Sequence, residues 1–343
     1  MIRVLVVDDS QTFRNMLSLI LEKIPGIEVV GVAESGEEAL GLLPLLDPDV
    51  VTLDIEMPGM GGLVLTETIR NRYRARILVV SSFTQQGSRI AVSALLKGAH
   101  DLLEKPKDMG GNVLFRAELI RRVLALGQFG EPVSSSGRGR FLNDAPLPRS
   151  APGLVVVGGS TGGPMAVSEL LAGLDGGPIP PILLIQHMAP AILPHFAERL
   201  SETLSLNVRL AYQGEPLVPG KVRIAPGGVH TVVDRLGEIL KIRMVEDRNG
   251  SVHVPSIDQA FDSVARVVGR LAVGILLSGL GDDGARGLKR IRESHGVTFV
   301  QSPESSAVSG MPLSAIGFGG ADYILAPGLI GEKMGKWFKQ QSG

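Results

Sequence analysis

MIRVLVVDDS, residues 1–10, is a β-branched run that ends in two aspartates. A near-continuous apolar strand of this kind belongs in a parallel sheet buried on both faces. Outward from it, short apolar runs alternate with amphipathic helical stretches as far as Leu126. The strand candidates are 2–7, 28–33, 49–54, 77–82 and 101–104. In the helical stretch 12–22, Phe13, Met16, Leu17, Ile20 and Leu21 fall on one face. Ser35 and Glu38 form a capping box that opens the next helix. Five βα units predict an α/β fold for residues 1–126, a doubly wound five-stranded parallel sheet.

The alternation stops at GQFGEPVSSSGRGRFLNDAPLPRS, residues 127–150, whose Gly, Ser and Pro content and lack of period predict a flexible linker. It resumes over 151–343, with strands expected at 154–157, 182–186 and 273–278. Shorter strands at 222–225, 231–233 and 239–244 lie near hairpin turns, so a mostly parallel sheet with some mixed pairing is expected in this second α/β domain. The two halves share no internal repeat.

Composition narrows the function. The 343 residues carry 34 Lys and Arg against 35 Asp and Glu, a formal net charge of −1. That balance gives no bulk pull toward nucleic acid or an anionic membrane. With no cysteine, a disulfide framework, a Cys-ligated zinc and a thiol nucleophile are excluded. The most apolar run, 271–277, is far too short to span a bilayer, and the N-terminus lacks the basic region and long apolar core of a signal peptide. No membrane insertion and a cytoplasmic location are expected.

In an open parallel sheet, chemistry sits at the carboxyl ends of the strands. Those ends carry Asp8 and Asp9, Asp54, Ser81 or Ser82, and Lys105. Converging carboxylates repel one another unless a cation lies among them, and an all-oxygen set suits Mg²⁺. The ion would shield an incoming phosphoryl group from Asp54, whose carboxylate could then act as nucleophile, while Lys105 and Ser81 contact the phosphoryl oxygens. Each aspartate alone would pass for a helix cap or a solvated turn residue. The joint set at five strand ends does not.

VLVVDDS, the Asp54-Ile-Glu-Met-Pro-Gly segment and Glu104-Lys105-Pro106 resemble the receiver domain of two-component response regulators. The resemblance implies phosphotransfer from a histidine kinase to Asp54, with Asp8, Asp9, Asp54 and the backbone carbonyl of Glu56 holding Mg²⁺.

In the second half, a strand runs into Gly158-Gly159-Ser160-Thr161-Gly162-Gly163-Pro164 and then a helix. A serine on a sharp strand-to-helix turn has its hydroxyl thrust outward, with helix-start N–H groups ready to stabilise an oxyanion. A phosphate cradle is disfavoured because no lysine follows the glycines. A serine nucleophile needs a base. His187 ends an apolar strand, His230 is a secondary candidate for the pocket wall, and His195, His253 and His295 read as solvated surface residues. Ser278-Gly-Leu-Gly-Asp-Asp283-Gly284 contains a formal GxGxxG, but two carboxylates occupy the place of a pyrophosphate. Asp283 is better used to orient a histidine. The order Ser160, His187, Asp283 differs from the Ser, Asp, His order of α/β-hydrolases, so the scaffold is a different one.

Gly-Gly-Ser160-Thr-Gly-Gly-Pro, Gln186-His187-Met188, Ala225-Pro226-Gly227 with His230, Gly281-Asp282-Asp283-Gly284-Ala285 and Gly310-Met311-Pro312 resemble the bacterial chemotaxis receptor methylesterases, the CheB family. In that family a receiver precedes the esterase, as here. The resemblance implies a phosphorylation-activated response regulator and serine esterase that hydrolyses glutamyl methyl esters, and deamidates glutamines, on chemoreceptor cytoplasmic helices, giving sensory adaptation. It implies Ser160 as nucleophile, His187 as base and acid, Asp283 as orienting carboxylate, and Thr161 and the Leu280 N–H at the oxyanion. No cofactor is expected in the esterase half, and a monomer is expected. Leu280 stands where the family more often has methionine, and Ile257 where it has valine in Pro-Ser-Val-Asp. Two rivals from other classes are a non-enzymatic partner-binding output and a DNA-binding output. The intact Ser-His-Asp set argues against the first, and the absence of a basic helix against the second.

Overall fold

The computed structural model describes all residues except 83, 107–112, 129–145, 175–176, 178, 249 and 342–343. The chain divides into two compact units, Met1–Glu131 and Pro132–Gly343. Most of the stretch read as a linker, 129–145, lies outside the described residues.

The first unit runs β1 (Ile2–Val7), α1 (Gln11–Leu21), β2 (Ile27–Ala33), α2 (Gly36–Leu46), β3 (Val50–Leu53), α3 (Gly61–Arg72), β4 (Arg76–Ser81), α4 (Gln85–Leu96), β5 (Asp101–Glu104) and α5 (Val113–Gly127). All five strands pair in parallel in the order β2-β1-β3-β4-β5, as the alternation predicts. β1 carries Val4 to Val7 with 1% exposure or less, which explains why its apolar run does not alternate. The expected capping box at α2 forms: the Glu38 N–H donates to Ser35 Oγ at 3.2 Å, while the Glu38 carboxylate reaches back to the Glu34 N–H at 2.7 Å. The strand order reverses between β1 and β3, so Asp8 and Asp54 emerge side by side at the switch point.

His100, just before β5, is a core residue. Its Nδ1 accepts from the Ile77 N–H at 3.0 Å, and its main-chain N–H donates to the Ile77 carbonyl at 2.9 Å. Burial, with Arg76 and Arg70 adding repulsion, pushes its imidazole down from 6.5 to about 3. The unfolded chain therefore binds a proton that the fold refuses between those two values. The stability this histidine allows is fully present above pH 6.5 and falls as pH drops toward 3, by up to about 1.4 kcal/mol per pH unit. Urea melts of the wild type and His100→Gln from pH 7 to 4 are expected to converge or cross as the pH falls; parallel curves would contradict a neutral buried imidazole.

The second unit contains β6 (Leu154–Gly159), α6 (Gly163–Ala172), β7 (Ile182–Gln186), α7 (Leu193–Leu204), β8 (Asn207–Leu210), β9 (Lys221–Ile224), β10 (His230–Leu236), β11 (Ile239–Val245), α8 (Ile257–Val268), β12 (Ala272–Leu276), α9 (Ala285–Glu293), β13 (Val297–Gln301), α10 (Gly310–Gly317), β14 (Tyr323–Leu325) and α11 (Pro327–Gln340). Its main sheet is β14-β13-β12-β6-β7-β9-β8, parallel throughout. Among the described residues the mixed pairing expected within it is absent, because the hairpin β10–β11 forms its own antiparallel ribbon. Gly237, at φ +60°, turns that hairpin in two residues. α8 packs against the ribbon and the sheet: Phe261 and Val264 are fully buried, Ser263 Oγ accepts from the Val233 N–H at 2.9 Å, and burying each such apolar side chain stabilises by roughly 1.5–3 kcal/mol. The end of the expected linker is held on this unit, where Trp337 Nε1 donates to the Pro148 carbonyl at 2.7 Å. Among the described residues, no helix is long and apolar enough to cross a membrane.

Candidate functional site

In the first unit the strand ends gather one acidic pocket. Asp8, Asp9 and Asp54 each offer a carboxylate oxygen within 4.8 Å of the others. Lys105 Nζ lies 2.7 Å from Asp8 Oδ2 and 2.6 Å from Asp54 Oδ2, and sits over the Phe13 ring. Burial raises the Asp8 carboxyl, and the Asp54 charge adds to that against the Lys105 ammonium. Burial would lower the Lys105 ammonium, but Asp54 and Asp8 outweigh it and hold it above the usual lysine range. A pocket in which one cation serves two buried carboxylates is short of positive charge, which is the environment a divalent ion completes.

Asp54 Oδ1 accepts from the Ile55 N–H at 2.7 Å and lies 3.4 Å from the N–H of Glu56, an exposed residue. Ser81 is fully buried and its Oγ has no hydrogen-bond partner among the described residues, whereas Ser82 is exposed. Arg14, on α1, donates from its guanidinium to the carbonyls of Asp8 at 2.7 Å and Asp9 at 3.0 Å, pinning the acidic turn. An arginine five residues beyond Asp9 is the signal the sequence offers.

The second unit aligns three strand ends. Gly159 pairs with Gln186 and Gly158 with Leu276, so Ser160, His187 and Ser278 leave the sheet at one level. The Ser160 N–H donates to the Ser278 carbonyl at 3.0 Å, and the His187 N–H to the Gly159 carbonyl at 2.9 Å. Gly162, at φ +77°, turns the chain from Ser160 into α6, a conformation that disfavours any side chain. His187 Nε2 lies 3.1 Å from Asp283 Oδ2. Both ring nitrogens are buried, and neither makes a hydrogen bond of good geometry among the described residues. Nor does a hydrogen bond join Ser160 Oγ to His187.

Asp283 is held from a second direction by the start of α8. It accepts from Ser256 Oγ at 3.1 Å, the Ile257 N–H at 2.8 Å and the Asp258 N–H at 2.9 Å. Burial raises its carboxyl, but His187 and these amides outweigh burial and hold it below the usual range. The Leu280 N–H makes no hydrogen bond among the described residues. Thr161 is 4% exposed beside Ser160.

Two histidines differ from their sequence reading. His230 stands one step behind the site instead of forming its wall: Nδ1 accepts from the Ser256 N–H at 3.1 Å, and Nε2 lies 3.4 Å from Asp247 Oδ1. It thereby braces the residue that braces Asp283. His253 stacks on His187, with ring centroids 4.3 Å apart and planes 15° from parallel. A polar, turn-rich segment gave no sign of that contact.

Residues 155–334 match the family described as CheB methylesterase, and residues 4–111 match the response regulator receiver domain. The chain belongs to the CheB methylesterase family. This CheB-family chain is 39% identical to protein-glutamate methylesterase/protein-glutamine glutaminase 2 of Burkholderia thailandensis, covering 97% of this chain and 99% of that one. It is 34% identical to protein-glutamate methylesterase/protein-glutamine glutaminase 1 of Geobacter sulfurreducens, over 98% and 97% of the two chains. The CheB methylesterase catalytic domain of Thermotoga maritima superposes with a TM-score of 0.52 at 32% identity, covering 55% of this chain and 98% of that domain.

Proposed function

We propose that this CheB-family enzyme hydrolyses glutamyl methyl esters, and deamidates glutamines, on the cytoplasmic helices of chemoreceptors, and that phosphorylation of Asp54 by a histidine kinase activates it, giving sensory adaptation. The observation that carries the reading is the convergence of Ser160, His187 and an Asp283 whose carboxylate is held by His187 and three further donors. Ser160 Oγ attacks the ester carbonyl and passes its proton to His187. The short distance from Nε2 to Asp283 assigns that nitrogen to the carboxylate and leaves Nδ1 to take the proton. The Leu280 N–H, with Thr161 beside the nucleophile, stabilises the oxyanion. Methanol leaves with the proton from His187, and water, deprotonated by the same ring, releases the glutamate. Glutamine follows the same course with ammonia leaving. We further propose a cytoplasmic monomer of two domains, a receiver over 1–126 and an esterase over 151–343.

In the receiver, Asp8, Asp9, Asp54 and the Glu56 carbonyl would hold Mg²⁺, which supplies charge neutralisation at the phosphoryl group. Lys105 offers a point charge, and the Ser81 hydroxyl a hydrogen bond, to the phosphoryl oxygens. Asp54→Asn is expected to abolish stimulation by a small-molecule phosphodonor while leaving basal methanol release intact. Stimulation that survives would remove Asp54 from the reading.

The His253 stack fixes the ring plane of His187. Stacked pairs contribute about 0.5–1.5 kcal/mol. His253→Ala is therefore expected to lower kcat roughly 2–10-fold, and His253→Phe to restore most of it. Equal activity in all three proteins would dismiss the stack.

A further inference from the structure

Gln186 is 1% exposed at the end of β7 and bonds to both halves of the reacting pair. Its Nε2 donates to the Ser160 carbonyl at 2.8 Å and to the His187 carbonyl at 3.2 Å. Its Oε1 is buried and has no hydrogen-bond partner among the described residues. The orientation is fixed by chemistry: with the amide reversed, Oε1 would face two carbonyl oxygens and neither contact could form. Space is fixed as well. A Cβ on Gly159 or Gly163, either side of Ser160, would fall inside van der Waals contact of Oε1.

As packing, a glutamine here is a poor choice. Methionine or leucine would fill the space without stranding an acceptor in the interior. What only the carboxamide NH₂ can do is hold the main chain of residue 160 and of residue 187 together across two neighbouring strands. We infer that Gln186 is a positioning residue of the hydrolytic site, setting the spacing of Ser160 from His187 while touching neither substrate nor reacting atoms. The inference rests on the reading of Ser160 and His187 as nucleophile and base. A displacement of about 1 Å between reacting groups can cost on the order of 10²-fold in rate.

The test uses the full chain and methanol release from a methylated chemoreceptor cytoplasmic fragment, with Gln186→Met, Gln186→Glu and Ser160→Ala in parallel. Gln186→Met is expected to lower kcat by roughly 10–100-fold with KM changed less than about twofold. Its Tm is expected to stay within a few degrees of wild type, since the lost bonds are offset by removing the stranded oxygen. Gln186→Glu keeps the shape and loses both N–H donors at neutral pH, so it is expected to be impaired at least as much. A packing role predicts the reverse: an active Glu variant and, for Met, any loss of activity tracking the loss of folded protein. If Gln186→Met fails to fold, the Glu variant decides: folded with wild-type kcat, it overturns the inference. An inactive Ser160→Ala beside a fully active Gln186→Met overturns this inference alone, whereas an active Ser160→Ala overturns the reading beneath it.

Discussion

Replacing Ser160 with alanine is expected to reduce methyl ester hydrolysis by about 10⁴-fold or more while the chain unfolds at nearly the same temperature. The two halves of that expectation have separate causes. The contacts that hold residue 160 in its turn are main-chain ones: its N–H to the Ser278 carbonyl at 3.0 Å, and its carbonyl from Gln186 Nε2 at 2.8 Å. Alanine keeps both. The hydroxyl takes no partner among the described residues that alanine would strand, and the cavity left is one oxygen atom. What disappears is the hydroxyl that the proposed mechanism uses to form the acyl-enzyme; the Ser278 hydroxyl at the neighbouring strand end is engaged with the Thr161 and Val308 carbonyls. Residual turnover would come from the Leu280 N–H and substrate positioning alone. Loss of folded protein in step with activity would contradict the assignment of a chemical role.

Asp283→Asn is expected to cost about 10³–10⁴-fold in kcat, and this time stability should fall as well. The carboxylate offers acceptors to Ser256 Oγ, the Ile257 and Asp258 N–H groups and His187. An asparagine keeps one oxygen, so its NH₂ must face a donor wherever it is turned. One orientation spoils the tautomer of His187; the other unpins the first turn of α8. Because the folded-state carboxyl is held below its ordinary 3.8, Asp283 stays ionised at neutral pH. The stability it confers is present above that value and is lost only as the solution is acidified through the lower, folded-state value. A kcat within tenfold of wild type would show that His187 needs no carboxylate partner.

The elements that strand periodicity determines were legible. Residues 2–7 and 101–104 coincide with β1 and β5, and 182–186 with β7, because buried parallel strands are short apolar runs with turn signals on both sides. Three strands of the second sheet went unassigned. β8 and β14 are short edge strands of four and three residues, and β13, VTFVQ, is a five-residue run that periodicity cannot tell from a buried helical segment. The residues proposed to carry reacting atoms were legible as candidates too, since each stands at a strand end beside a glycine turn or an acidic pair. Their supports were not. His230 behind Ser256, His253 on the face of His187 and Gln186 between two carbonyls act through contacts set by the folded chain, and no local pattern encodes them.

The most direct measurement is methanol release from a methylated chemoreceptor cytoplasmic fragment by the full chain, with Mg²⁺, before and after addition of a small-molecule phosphodonor. Release that rises with the phosphodonor, and vanishes in Ser160→Ala, is the expected result. No release in either condition, from a folded chain that still accepts the phosphoryl group at Asp54, would contradict the proposed esterase and leave the second unit as a binding module.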